Sequence, residues 1–298
     1  MTAEYSLDDA WTKVKWAEQN FAVLRKEIEA LEQRDAHRVT VETSTNAGEY
    51  VFRVHDLPEL PPDWGMRIGD YLHSARCALD YLMVNLVALA TNGRPEGIEG
   101  TQFPIYQDQK RFNGAIGELK KNQLLSGWLS RVEELQPYNA GNPSIWGWSS
   151  SELTVPPLPY ALDRLSLLDN IDKHRCILRP WWGTRLQGVS LQAPPEFQPI
   201  GMSLPGDALR EGSEIGSATY KAPVPFEWKP DEMDVKRKLS LQISFNEPSP
   251  SKSVVEILGL CLWGVEMTLT IFEPVFTHQK PPLLVTASMP SAETQTHP

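Results

Sequence analysis

Six side chains hold most of the chemistry this sequence offers. His73, Arg76 and Asp80 lie in one apolar run, and Asn170, Asp172 and His174 lie in another. A histidine can serve as general base, an arginine can hold an anion or stabilise charge on a phosphorane, and a carboxylate can orient either. Arg76 and Asp80 are four positions apart, as are Asn170 and His174, so each pair shares one face if the runs are helical. Packed helices approach to about 8–10 Å, which lets polar pairs beside two contacting stripes reach each other. The expectation is one cluster of Arg76, Asp80, Asn170, Asp172 and His174, centred on an Arg76 to Asp172 or Asp80 to His174 bond. A closed cluster would clamp two helices, and an open one would form a site with His73 or Trp146 on its rim.

Other chemistries find less support. His73 and Cys77 have the four-residue spacing of ligands on one helix, and Asp172, His174 and Cys176 lie close together. Neither a Cys-x-x-Cys nor a His-Glu-x-x-His pattern accompanies them, so no metal and no cofactor is expected. Serine nucleophile elbows, Walker loops and dinucleotide glycine fingerprints are absent from the sequence.

The elements that position these residues follow from periodicity. Ile68, Leu72, Ala75, Leu79, Leu82, Leu86 and Leu89 recur at three- and four-residue intervals, which predicts one long helix over 64–90 with His73, Arg76 and Asp80 at the margin of its buried stripe. Leu7, Trp11, Val14, Ala17, Phe21, Leu24, Ile28 and Leu31 predict a second long helix, with Ser6 as its cap and Asp8 and Asp9 facing the positive end of its dipole. Bulky Trp and Phe in that stripe favour packing within the chain, and a homodimer stays open. Shorter helices are expected over 107–121 and 123–134, and another over 160–178 carries Asn170, Asp172 and His174. The loop 139–159 is rich in Pro, Gly and Ser and carries Trp146 and Trp148.

Val39, Val41 and Thr43, then Tyr50, Phe52 and Val54, alternate with polar residues on either side of a turn, which predicts a hairpin. Alternation returns over 185–192, 218–224 and 235–246. Since an isolated hairpin is marginal in water, the expectation is one antiparallel sheet joining the hairpin to 235–246. The fold class is then α+β, a single domain over 1–278 made of long amphipathic helices and one sheet. Residues 279–298 lack periodicity and predict a disordered tail.

Composition narrows the partners. With 38 acidic and 28 basic residues the net charge is -10, and no basic patch exceeds Lys236-Arg237-Lys238, so no stable nucleic-acid partner is expected. Unpaired cysteine spacing and an acidic N-terminus point to a cytoplasmic, soluble protein. The most apolar stretch, 254–276, is interrupted by Glu256, Glu266 and Glu273. A carboxylate near the middle of a membrane span costs about 2.5–3.5 kcal/mol, so this stretch reads as a core helix, and Glu266 within it should find a Lys, Arg, Trp or Tyr partner.

Gly69-Asp-Tyr-Leu-His-Ser-Ala-Arg-Cys-Ala-Leu-Asp80 together with Asn170-Ile-Asp-Lys-His-Arg175, with Thr101-Gln-Phe-Pro-Ile105 and Leu135-Gln-Pro-Tyr138 between them, resembles a group of uncharacterised bacterial proteins. The likeness covers about 65–175 and brings no activity with it. A more distant similarity, through Arg67-Ile-Gly-Asp-Tyr-Leu-His73, is to the HEPN superfamily of helical bundles, which includes toxin and defence ribonucleases. That likeness implies a metal-independent ribonuclease with His73 as base and Arg67 or Arg76 stabilising charge. The residues by themselves favour a binding or regulatory module, with the ribonuclease as the alternative.

Overall fold

The computed structural model describes residues 5–34, 37–43, 49–91, 101–117, 123–141, 158–174, 178, 180–184, 198–203, 209–221, 241–245 and 252–277. The elements in chain order are α1 (Asp8–Glu32), β1 (Arg38–Thr43), β2 (Glu49–His55), α2 (Trp64–Ala90), α3 (Gln109–Ala115), α4 (Gln123–Glu134), a single 3₁₀ turn (Pro137–Asn139), α5 (Leu158–His174), β3 (Pro180–Thr184), β4 (Gln198–Ser203), β5 (Glu214–Lys221), β6 (Leu241–Phe245) and α6 (Val254–Thr277). This is an α+β fold. The loop carrying Trp146, the segment 185–192, Arg175, Cys176 and the tail 279–298 lie outside the described residues.

Contacts divide the chain into two compact units. The first holds Met1–Asn20, Gly69–Cys176 and Leu258–Pro298, and the second holds Phe21–Ile68 and Ile177–Ile257.

The first unit is helical. Within α2 the expected stripe is wholly buried from Leu72 through Leu86, and Tyr71, Ala78 and Met83 on its other sides are buried as completely. A stripe predicts one covered face, whereas this helix is enclosed on several. Each such Leu or Met contributes roughly 1.5–3 kcal/mol. The Tyr71 hydroxyl, placed among these apolar groups, donates to the Leu258 carbonyl of α6 at 2.6 Å, which meets its need for a partner.

Glycine sets how closely these helices pack. A Cβ added to Gly69 of α2 would lie 2.3 Å from the Asp172 carboxylate of α5, and one added to Gly264 of α6 would lie 2.8 Å from the Ala161 Cβ of α5. The start of α6 is a capping box, with Ser253 Oγ accepting from the Glu256 amide at 3.1 Å and the Glu256 carboxylate accepting from the Ser253 amide at 2.7 Å. Although α6 is long and apolar enough to cross a membrane, 61% of its most apolar window is buried inside the protein. The helix runs to Thr277, passing through Pro274.

The second unit carries every described strand. The hairpin forms as expected, with Val39 opposite Val54 and Val41 opposite Phe52. Tyr50, Phe52 and Val54 turn inward on β2. Its partner is not the one expected. β2 pairs with β5 in a four-stranded antiparallel sheet of order β1-β2-β5-β4, while β6, the described part of the strand expected over 235–246, pairs with β3 in a separate two-stranded sheet. Alternation reveals that a strand has one covered face and carries no information about its neighbour. β5 overlaps the stretch 218–224, where alternation already predicts a strand, so the strand was legible and its place beside β2 was not.

Trp182 of β3 forms a bridge with Leu209, whose amide donates to the Trp182 carbonyl at 2.8 Å, and its indole donates to the Pro58 carbonyl at 2.8 Å. Leu209 leads into a turn at Gly212, whose φ of +74° suits glycine. The Gly212 amide donates to the Val54 carbonyl at 2.9 Å, which extends the pairing beside β2. At the N-terminal part of α2, Glu27 accepts from the Trp64 indole at 3.0 Å and from Arg67 Nη1 at 2.6 Å.

Candidate functional site

The polar residues on α2 and α5 sort into two adjoining groups. In the first, Arg76 and Asp80 are one helical turn apart and paired at 3.2 Å, with 12% and 25% of their side chains exposed. Both grip the backbone of Phe103. Asp80 Oδ1 accepts the Phe103 amide at 2.9 Å, and Arg76 Nη2 donates to the Phe103 carbonyl. A wholly buried Gln136 continues the grip, its Nε2 donating to the Pro104 carbonyl at 2.8 Å and its Oε1 accepting the Tyr106 amide at 2.9 Å. Residues 101–106 run between helices without joining a sheet, so their backbone groups need side-chain partners, and these residues supply them. Burial raises the Asp80 carboxyl above its ordinary range, opposed by the Arg76 charge and the Phe103 amide. Arg76 Nη1 is buried without a hydrogen-bond partner among the described residues.

The second group is open to water on one side. The Asp169 carboxylate of α5, only 6% exposed, takes Lys173 Nζ at 2.7 Å on one oxygen and faces His73 Nδ1 at 3.8 Å with the other, while 56% of the His73 side chain is exposed. The latter distance is too long for a direct hydrogen bond. On its far side, His73 Nε2 stands 3.5 Å from Cys77 Sγ. Burial raises the Cys77 thiol above its ordinary range, Lys13 and Lys173 pull it down, and Asp80 and Asp169 push it up. Asp169 and Lys173 act on Asp80 as well, so the two groups share one electrostatic neighbourhood.

The expected convergence of five residues is corrected accordingly. Neither an Arg76 to Asp172 bond nor an Asp80 to His174 bond forms among the described residues. Asp172 lies against Gly69 at the close approach of α2 and α5. Asn170 is exposed and bonds back to Ser166 of its own helix at 3.4 Å, and His174 is exposed at the last residue of α5. The α5 carboxylate at this margin is Asp169, one turn before Asp172, and it faces His73 instead of Arg76. Asp169 and Lys173 could have been found from their four-residue spacing, acid before base, beside Leu165 and Leu168 of the buried stripe. Gln136 carries no periodic signal and was found only by its contacts.

Arg67, which the Arg-x5-His spacing pairs with His73, is held by Glu27 at 2.6 Å and by Asp63 at 3.6 Å. Glu27 also accepts from Trp64, so this arginine belongs to a local network at the start of α2. Six residues amount to about 240° around an α-helix, which does not bring two side chains to one face.

Among the described residues, no group of three or more His, Cys, Asp or Glu could hold a metal ion. Glu266 differs from expectation as well. It is half-buried, and no Lys, Arg, Trp or Tyr bond to it forms among the described residues; burial raises its carboxyl above the ordinary range and the Glu18 charge adds to the rise. Partial exposure serves in place of a partner.

No family model, no curated protein and no solved structure gives a significant match to the chain.

Proposed function

We propose that this is a soluble cytoplasmic binding or regulatory module that takes a small acidic group, a carboxylate or phosphate, at the open edge formed by Lys13, His73 and Lys173. One observation carries the reading: a buried carboxylate, Asp169, stands behind an imidazole that is 56% exposed. An aspartate in that position biases the ring's orientation before any ligand arrives, which lowers the ordering cost of binding. Lys13, whose charge acts on Cys77 at this edge, makes no ion pair among the described residues.

The Arg76–Asp80 pair has a different part. Both side chains are committed to the Phe103 backbone, so they hold the wall beside the edge and do not contact the ligand. The ribonuclease alternative would need an arginine free to meet a phosphorane near His73, and Arg67 and Arg76 both have carboxylate partners.

The test follows the His73 ring resonances by NMR during titration with inorganic phosphate and with a series of dicarboxylates. The expected outcome is a saturable shift that weakens with salt and disappears in Lys13→Ala. If none of these anions shifts the ring, or if Lys13→Ala binds them equally well, the proposal is wrong.

A further inference from the structure

Cys77 gives the open edge a nucleophile that anion binding does not use. Its sulfur lies 3.5 Å from His73 Nε2, and Asp169 faces Nδ1 across the ring at 3.8 Å, so a thiol, an imidazole and a carboxylate stand in sequence. Contacts of this kind are often looser before a reactant arrives. Cys77 is half-buried and His73 is exposed, so a small reagent can reach the sulfur from the imidazole side. We propose that Cys77 is a modifiable thiol that undergoes exchange with small anionic disulfides, with His73 accepting its proton and Asp169 positioning the ring.

His73 Nε2 takes the thiol proton, and the Cys77 sulfur forms a bond to one sulfur of the disulfide while the disulfide's own S–S bond breaks. The departing sulfur leaves with the electron pair and receives the proton from His73. Cys77 is thereby oxidised to a mixed disulfide, and half of the reagent is reduced to a thiol. The positive charge of Lys13, unpaired among the described residues, favours a reagent that carries carboxylates. Burial holds the Cys77 thiol above its ordinary range. A standing thiolate is therefore scarce at neutral pH, and the reaction depends on transfer to His73. Cys261 is the internal contrast, wholly buried and pushed up to about 12.

This inference goes beyond anion binding, because its test follows the sulfur and needs no resident ligand. The full chain in a Cys176→Ser background is treated with dithiobis-nitrobenzoate, a dianionic disulfide, and in parallel with cationic cystamine; the labelled cysteine is identified by mass spectrometry. In the folded protein Cys77 should be labelled while Cys261 is not. His73→Ala should slow Cys77 labelling by about tenfold or more. The rate in that variant should follow only the thiol's alkaline titration, while the parent stays reactive at lower pH. Lys13→Ala should reduce the preference for the dianionic reagent over cystamine. Circular dichroism shows whether each variant is folded, and His73→Asn substitutes where His73→Ala is not. Unchanged labelling in a folded His73 variant would overturn the proposal, as would a Cys77 that reacts only after denaturation.

Discussion

The two groups of polar residues share α2 and pair a cation or imidazole with a carboxylate, yet differ in what they face. Arg76 and Asp80 face a stretch of backbone that has no sheet to join, and their charges are used up on its amide and carbonyl. His73 and Cys77, on the neighbouring margin of α2, face water and a carboxylate that Lys173 already partners. Residue type therefore does not separate a structural clamp from a reactive edge. Access to solvent and the presence of an unmet backbone group do.

Removing Arg76 should give the largest effect. Arg76→Ala leaves the Phe103 carbonyl and the Asp80 carboxylate without their partner in a mostly buried setting, and should cost about 3 kcal/mol in urea unfolding. A loss below about 1 kcal/mol would erase the contrast between the halves. Next comes helix packing. Gly264→Ala sets a methyl group 2.8 Å from the Ala161 Cβ, which cannot swing aside as a longer side chain would. About 1–3 kcal/mol of overpacking should outweigh the gain in helix propensity, and Ala161→Gly in the same chain should restore part of it.

Glu266 sharpens the comparison from another side, since it is a half-buried carboxylate without the partners Asp80 has. Its native pKa is raised from 4.5, so the folded protein binds this proton more tightly than the unfolded chain does. The resulting destabilisation is absent below 4.5 and grows as pH rises through the native value. Glu266→Gln should therefore stabilise at neutral pH, by less than about 1 kcal/mol after allowance for solvent screening, with the benefit vanishing in acid. Thermal melts at several pH values would show it, and a neutral-pH loss would contradict the assigned burial. The smallest change is expected at the open edge, where His73→Ala should alter stability by less than about 0.5 kcal/mol because the ring is mostly in water.

Much of the helical framework was legible because apolar period is a direct consequence of burial. The stripes of α1 and α2, the whole extent of α4 and the body of α6 followed from Leu, Ile and Phe at three- and four-residue spacing. The hairpin followed from alternation for the same reason. Sheet partnership was not legible, because β2 would present the same alternating face to β5 or to β6. The margin of α2 was correctly identified as polar, but the opposing turn of α5 was misplaced by three residues. Helix phase is fixed by the buried set, and Asp169 lies inside that set while Asp172 lies at its edge. The segments around Phe103 and Gln136 stood out as motifs, and their purpose depends on long-range backbone satisfaction that local sequence does not display.

The central claim, that Arg76 and Asp80 hold a backbone while His73 does not, can be read at one amide. Native-state hydrogen exchange of the Phe103 amide should show strong protection in the parent protein, because the Asp80 carboxylate accepts it at 2.9 Å. The account predicts that Asp80→Ala abolishes this protection and that His73→Ala leaves it intact. Rapid exchange of Phe103 in the parent protein, or an equal loss of protection in the two variants, would contradict it.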